Sequence, residues 1–69
     1  MTNYQLTILR TIANFQPIMK DDLYGSLSIG IDRYYYHLTS LRDEGYIQFE
    51  RMKGPVWLTV RGREAIEKV

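Results

Sequence analysis

Cysteine is absent from this 69-residue chain, and histidine occurs once, at His37. Disulfide scaffolds, thiolate zinc sites and cysteine nucleophiles are therefore excluded, although small domains often rely on such staples. A cysteine-free chain also fits a cytoplasmic location, which is the expectation here. Apolar runs are no longer than three residues, or four when Pro55 is counted with Val56, Trp57 and Leu58. A membrane span needs about 20, so neither a span nor a signal peptide is expected. Catalytic equipment is equally thin. There is no nucleophile-and-base pair, no glycine-rich phosphate loop and no metal-ligand cluster. The acids Asp21, Asp22, Asp43 and Glu44 fall as sequence neighbours, which diverge on a helix. An enzyme is not expected, nor is a cofactor.

The composition is that of one folded domain. Apolar residues make up 45% of the chain and charged residues 25%, which places it far from the disordered class. A chain of this size buries only about 60% of its unfolded surface, too little to host a small-molecule pocket without losing stability. Net charge is +1, but the charge is uneven. Residues 51–63 carry Arg51, Lys53, Arg61 and Arg63 with no acid among them.

Hydrophobic periodicity predicts a first helix over Asn3–Phe15, capped by Thr2 or Asn3 and ended by Gln16-Pro17. Its polar side (Asn3, Thr7, Arg10, Thr11, Asn14) is narrow. Tyr4, Leu6, Ile8, Leu9, Ile12, Ala13 and Phe15 form an apolar side about twice the usual ~100°. Either that helix lies deep in the core, or part of it (Tyr4, Leu6 or Ile8) meets a partner. Ile18-Met19 reads as a short extended segment and Lys20–Leu27 as a second helix, followed by a tight connection in which Gly30 can take positive φ. Tyr34, Leu38 and Leu41 define the buried stripe of a third helix over Ile31–Glu44, with Gly45 at its left-handed end. Period two over residues 46–52 and 55–59, with Lys53-Gly54-Pro55 between them, predicts a hairpin. Thr59 then caps a last helix, Arg61–Val69. The expected fold class is mostly α with a small hairpin.

Two helices joined by a short turn form a helix-turn-helix, and a following hairpin makes it winged. Leu38-x-x-Leu41-x-x-Glu44-Gly45-x-Ile47, and then Leu58-Thr59-x-x-Gly62-Arg63, resemble the winged helix of MarR-, PadR- and ArsR-type transcriptional regulators. The likeness spans roughly residues 6–66. It implies a homodimeric regulator that binds double-stranded DNA, with the third helix in the major groove and the wing on the backbone or minor groove.

On the third helix the wheel turns Asp32, Arg33, Tyr36, Thr39, Ser40 and Asp43 outward. Arg33 suits guanine, Tyr36 a phosphate or thymine methyl, and Thr39 and Ser40 either donor or acceptor edges. Asp32 reads as a stabiliser of the first helical turn, and Asp43 as lying clear of the groove. Arg51, Lys53 and Arg61 supply charge for phosphates. Gly30 is expected to bring a backbone N–H near one. His37 reads as a packed residue. Trp57 turns away from the core, so either it is a contact surface or the last helix or the chain's N-terminus folds over it. Two other functions fit the same residues: a protein–protein module, favoured by outward acids and exposed aromatics, and a small architectural or recombination-directing DNA-binding factor.

Overall fold

The computed structural model describes residues 2–50 and 54–68. Four helices and three strands follow in the order α1 (Asn3–Phe15), β1 (Ile18–Met19), α2 (Lys20–Gly25), α3 (Ile31–Asp43), β2 (Ile47–Phe49), β3 (Pro55–Leu58) and α4 (Val60–Glu67). The strands form one antiparallel sheet in the order β1-β3-β2. No helix among the described residues is long and apolar enough to cross a membrane.

Local chemistry sets the ends of α1. The Thr2 side chain accepts the Gln5 N–H at 3.1 Å, and the Gln5 side chain accepts the Thr2 N–H at 3.2 Å. This reciprocal pair is a capping box that satisfies two donors at the helix start. At the other end Gln16 is extended, and its Oε1 accepts the Leu58 N–H at 3.0 Å, tying the end of α1 to β3. The broad apolar side of α1 is accounted for mainly within the domain, since α1 packs against α2, β3 and α4 at once. Ile8, Leu9 and Ile12 are fully buried. Ile8 is therefore not available as a partner contact. Phe15, assigned by periodicity to the apolar side, is instead 64% exposed, because it sits in the last turn where the chain has already left the core.

α2 is shorter than its apolar spacing suggests. Gly25 is a weak helix former, and the Ser26 N–H closes the last turn on the Asp22 and Leu23 carbonyls. Leu27 reaches the core from the connection instead, alongside Ile29. Gly30 is the N-cap of α3 at φ −65° and ψ 148°, ordinary extended backbone, so its expected positive φ is not used. Gly45 does take the left-handed conformation, φ 85°, as α3 ends. α3 buries Tyr34, Leu38 and Leu41.

The sheet has one strand more than a hairpin. Ile18 pairs with Val56 on one edge of β3, and Phe49 pairs with the same Val56 on the other. Val56 is fully buried between them. β3 ends at Leu58 because Thr59 becomes the N-cap of α4, one residue ahead of the expected start. Three bonds converge on Thr59. Its N–H donates to the Tyr46 carbonyl at 3.2 Å, its hydroxyl donates to the Gly45 carbonyl at 2.5 Å, and its Oγ1 accepts the Gly62 N–H at 3.1 Å. α4 lies against α1, with Ala65 and Ile66 packed on the core.

Candidate nucleic-acid interface

The chain from α2 through α3 sets out the residues that sequence reasoning singled out. With Tyr34, Leu38 and Leu41 inward, the opposite side of α3 is open. Tyr35, Tyr36, Thr39 and Ser40 line one shallow hollow there, with Asp32 and Asp43 also on its wall. Tyr36 is 68% exposed, the most exposed of the α3 aromatics. The Asp43 carboxylate is partnered by the neighbouring Arg42 at 3.6 Å, whereas no ion pair to Asp32 forms among the described residues. Three of the expected contacts, Tyr36, Thr39 and Ser40, thus share a hollow with two carboxylates, which oppose an anionic ligand there.

Arg33 does not join that group. It stands on the adjoining flank of α3, in a second hollow shared with Thr2, Tyr4, Ser28, Ile29 and His37. His37 is half-buried and packed, as expected, with ring centroids 5.6 Å from Tyr4 and 5.4 Å from Tyr36 in edge contacts. Tyr4 is half-buried, with its hydroxyl shielded and unpartnered among the described residues. Leu6 is half-buried.

Arg61 is exposed at the start of α4. Its guanidinium carbon lies 4.9 Å from the centre of the Tyr46 ring. That places it just beyond the C-terminal end of α3, while Arg33 is in the first turn. At 1.5 Å rise per residue the two ends are about 15 Å apart, so these arginines would act on different parts of a ligand. Arg51 and Lys53 lie outside the described residues. Arg63 is exposed on α4.

Trp57 projects from the side of β3 opposite Val56 and Leu58, and is half-buried. Gln16 and Pro17 flank it, together with Pro55. The residues that share its open hollow come from the α1–β1 connection and β3, and among the described residues none from the last helix or the start of the chain lines it. Nearby, Phe15, Pro17 and Met19 border a further apolar groove with Asp22 and Ser26 on its wall.

Three contributors add to those expected. Lys20, the first residue of α2, is only 4% exposed. Its ammonium lies 4.4 Å from the centre of the Phe49 ring and donates to the Glu50 carbonyl, which anchors α2 to the end of β2. Burial, reinforced by the Arg42 charge, holds the Lys20 ammonium below its ordinary value, with Glu50 and Asp21 opposing. Arg42 lies over the same ring at 4.9 Å. The third is Gln5, whose Nε2 is 3.3 Å from His37 Nδ1. The Thr2-x-x-Gln5 spacing is a capping-box signal that a reader of the sequence could have used. Nothing local marks Lys20 or Arg42, since their partners arrive from β2.

No group of three His, Cys, Asp or Glu side chains suited to a metal ion occurs among the described residues. Comparison with known proteins finds no matching family, no matching curated protein and no matching solved structure.

Proposed function

We propose that the chain is a winged helix-turn-helix domain that binds duplex DNA as a homodimeric cytoplasmic transcriptional regulator. The observation that carries this reading is α3 itself. Its solvent side is open along 13 residues, and it runs directly into the β2–β3 hairpin, where the acid-free basic stretch begins. A helix of that length is about 20 Å long and fits a major groove about 12 Å wide. The element order and the strand order β1-β3-β2 support the winged-helix assignment. In this reading Tyr36, Thr39 and Ser40 meet the DNA at the centre of α3, and Arg51 and Lys53 neutralise phosphates from the hairpin. Arg61 reaches the backbone beyond the end of α3. The homodimer rests on the regulator resemblance, with Trp57 and Leu6 as its contact residues, since Tyr4 sits in the hollow beside Arg33.

The test is a fluorescence-polarisation titration of a random-sequence duplex at about 50 and 200 mM salt, with sedimentation of the same sample. Neutralising three or four phosphates lowers affinity roughly 40- to 150-fold across that range. Absence of binding at the lower salt refutes the reading, and a monomer at every concentration refutes the dimer.

One observation favours a second reading. Asp32 and Asp43 bracket the exposed Tyr35 and Tyr36, an arrangement suited to a basic protein partner. A chain that ignores DNA and heparin yet loses a pulled-down partner on Tyr36→Ala would follow this second course.

A further inference from the structure

The hollows on either side of α3 differ in charge. Among the described residues, the outward one carries two carboxylates and no cation. The flanking one carries the Arg33 guanidinium and, among the described residues, no carboxylate. The groove beside Phe15 also carries an acid, Asp22. An anionic group drawn to α3 is therefore favoured on the Arg33 flank and opposed on the outward side.

The hydrogen bonds around His37 settle which way it faces chemically. The Thr2 N–H donates to Gln5 Oε1 at 3.2 Å, so the helix cap fixes which end of the amide is oxygen. The other end, Nε2, is 3.3 Å from His37 Nδ1. An amide nitrogen can only donate, so Nδ1 accepts and the proton of the neutral ring resides on Nε2. Edge contacts with Tyr4 and Tyr36 hold the ring in place. His37 thus carries an Nε2–H donor, and its one hydrogen bond among the described residues is the bond to Gln5. The Arg33 guanidinium forms no ion pair among the described residues, and Ser28 adds a hydroxyl from the α2–α3 connection.

We propose that this hollow is a phosphoryl site, with Arg33, the His37 Nε2–H and the Ser28 hydroxyl as its donors. A guanidinium fork engages two acceptor oxygens by itself, and Ser28 and His37 line the same hollow from the α2–α3 connection and from the next turn of α3. A carboxylate accepts through two oxygens whose lone pairs lie in one plane, whereas a tetrahedral phosphoryl group also presents oxygens outside the guanidinium plane for the remaining donors. Resting on the DNA reading above, the group is a backbone phosphate beside the first half of α3. Arg33 then positions the duplex and does not read guanine. Gln5 acts only through His37, as a positioning residue.

The experiment follows the backbone amide NMR spectrum of the full chain during two titrations, one with a random-sequence duplex of about 16 base pairs and one with inorganic phosphate. Arg33→Ala and His37→Asn are run beside the unaltered chain. Both ligands are expected to move the Ser28, Arg33 and His37 signals. Arg33→Ala is expected to weaken duplex binding roughly five- to tenfold, to reduce the salt slope by about one, and to abolish the phosphate response. The ring nitrogen spectrum of His37 is expected to show the Nε2–H tautomer, and to lose that preference in Gln5→Leu. Duplex binding with affinity and slope unchanged in both variants overturns the site and leaves the DNA reading standing. A phosphate response without duplex binding upholds the site with a free phosphoryl ligand and overturns the DNA reading. Silence toward both overturns both. If a variant fails to fold, the unaltered chain still decides, because duplex-induced shifts confined to other residues overturn the site.

Discussion

Gly62 is where one added methyl group should matter most. A Cβ built there falls 2.0 Å from the Tyr46 carbonyl oxygen, 3.0 Å from its carbon and 3.3 Å from Leu58 Cδ2. The obstacle is backbone, held by the Thr59 N–H and by the Gly45–Tyr46 turn, so it cannot rotate away as a side chain would. In Gly62→Ala, α4 must move outward, loosening the Thr59 cap and the packing of Ala65 and Ile66. Overpacking costs typically about 1–3 kcal/mol and sometimes more, and a backbone obstacle belongs at or just above the upper end, about 3–4 kcal/mol. Replacing glycine inside a helix returns about 1 kcal/mol, for a net loss of about 2–3 kcal/mol. A domain of this size has only about 3–10 kcal/mol to lose. The expected fall in melting temperature is roughly 10–25 °C, measured by circular dichroism with urea unfolding as a second readout. Gly25→Ala is the control: nothing lies within 4 Å of its added Cβ, so it should be neutral or slightly stabilising. A Gly62→Ala melt within about 3 °C of the unaltered chain would refute the argument, since α4 would then be free to shift at no cost.

Thr59→Val keeps the shape but deletes the hydroxyl that serves both Gly45 and Gly62, and should cost about 1–2 kcal/mol, with Thr59→Ser recovering most of it in urea unfolding. Tyr34→Phe strands the Lys20 carbonyl that the phenol reaches at 2.8 Å, and should cost about 1–2 kcal/mol by the same assay. Burial, aided by Tyr35 and Asp21, pushes the Tyr34 phenol above its ordinary value of 10.0. Its neutral form therefore supports the fold fully below about pH 10, and that support is lost as pH rises beyond it. Urea midpoints at pH 9 and 11 should diverge less in Tyr34→Phe than in the unaltered chain. For Lys20 the sign is opposite: its ammonium is held below 10.5, the unfolded chain binds that proton more tightly, and stability rises as pH climbs toward 10.5. Lys20→Met should flatten this rise on the approach to pH 10.5, and an unchanged pH slope there would refute the buried ammonium.

The legible parts of the fold are those with a local cause. Pro17 ends α1, Gly45 ends α3 and Thr59 begins α4, each through chemistry within a few residues. The apolar triplet Tyr34, Leu38 and Leu41 likewise fixes which side of α3 is inward. The illegible parts depend on distant partners. Ile18-Met19 is legible as an extended segment, but two residues carry no alternation that names a partner, so the pairing with Val56 is visible only in the fold. Lysine ordinarily faces solvent, and only the arrival of Phe49 and Glu50 buries Lys20. The same holds for the candidate interface. A helical wheel places Arg33 and Tyr36 on one broad outward side, but α1 divides that side by setting Thr2 and Tyr4 beside Arg33. Ile8 was open to either role until α4 and β3 closed over α1.

The pairing of β1 with β3 also bears on how the protein forms during synthesis. β1 emerges early, yet its partner is the last strand to be made, and β2 waits for the same strand. Until β3 arrives, the groups on Ile18 and Phe49 that will pair with it face water, and α1 lacks both β3 and α4 as cover. The ordering cost of joining such distant segments falls on a single late event. A nascent chain halted before residue 54 should therefore be readily digested by protease. One carried through α4 should become resistant in a single step.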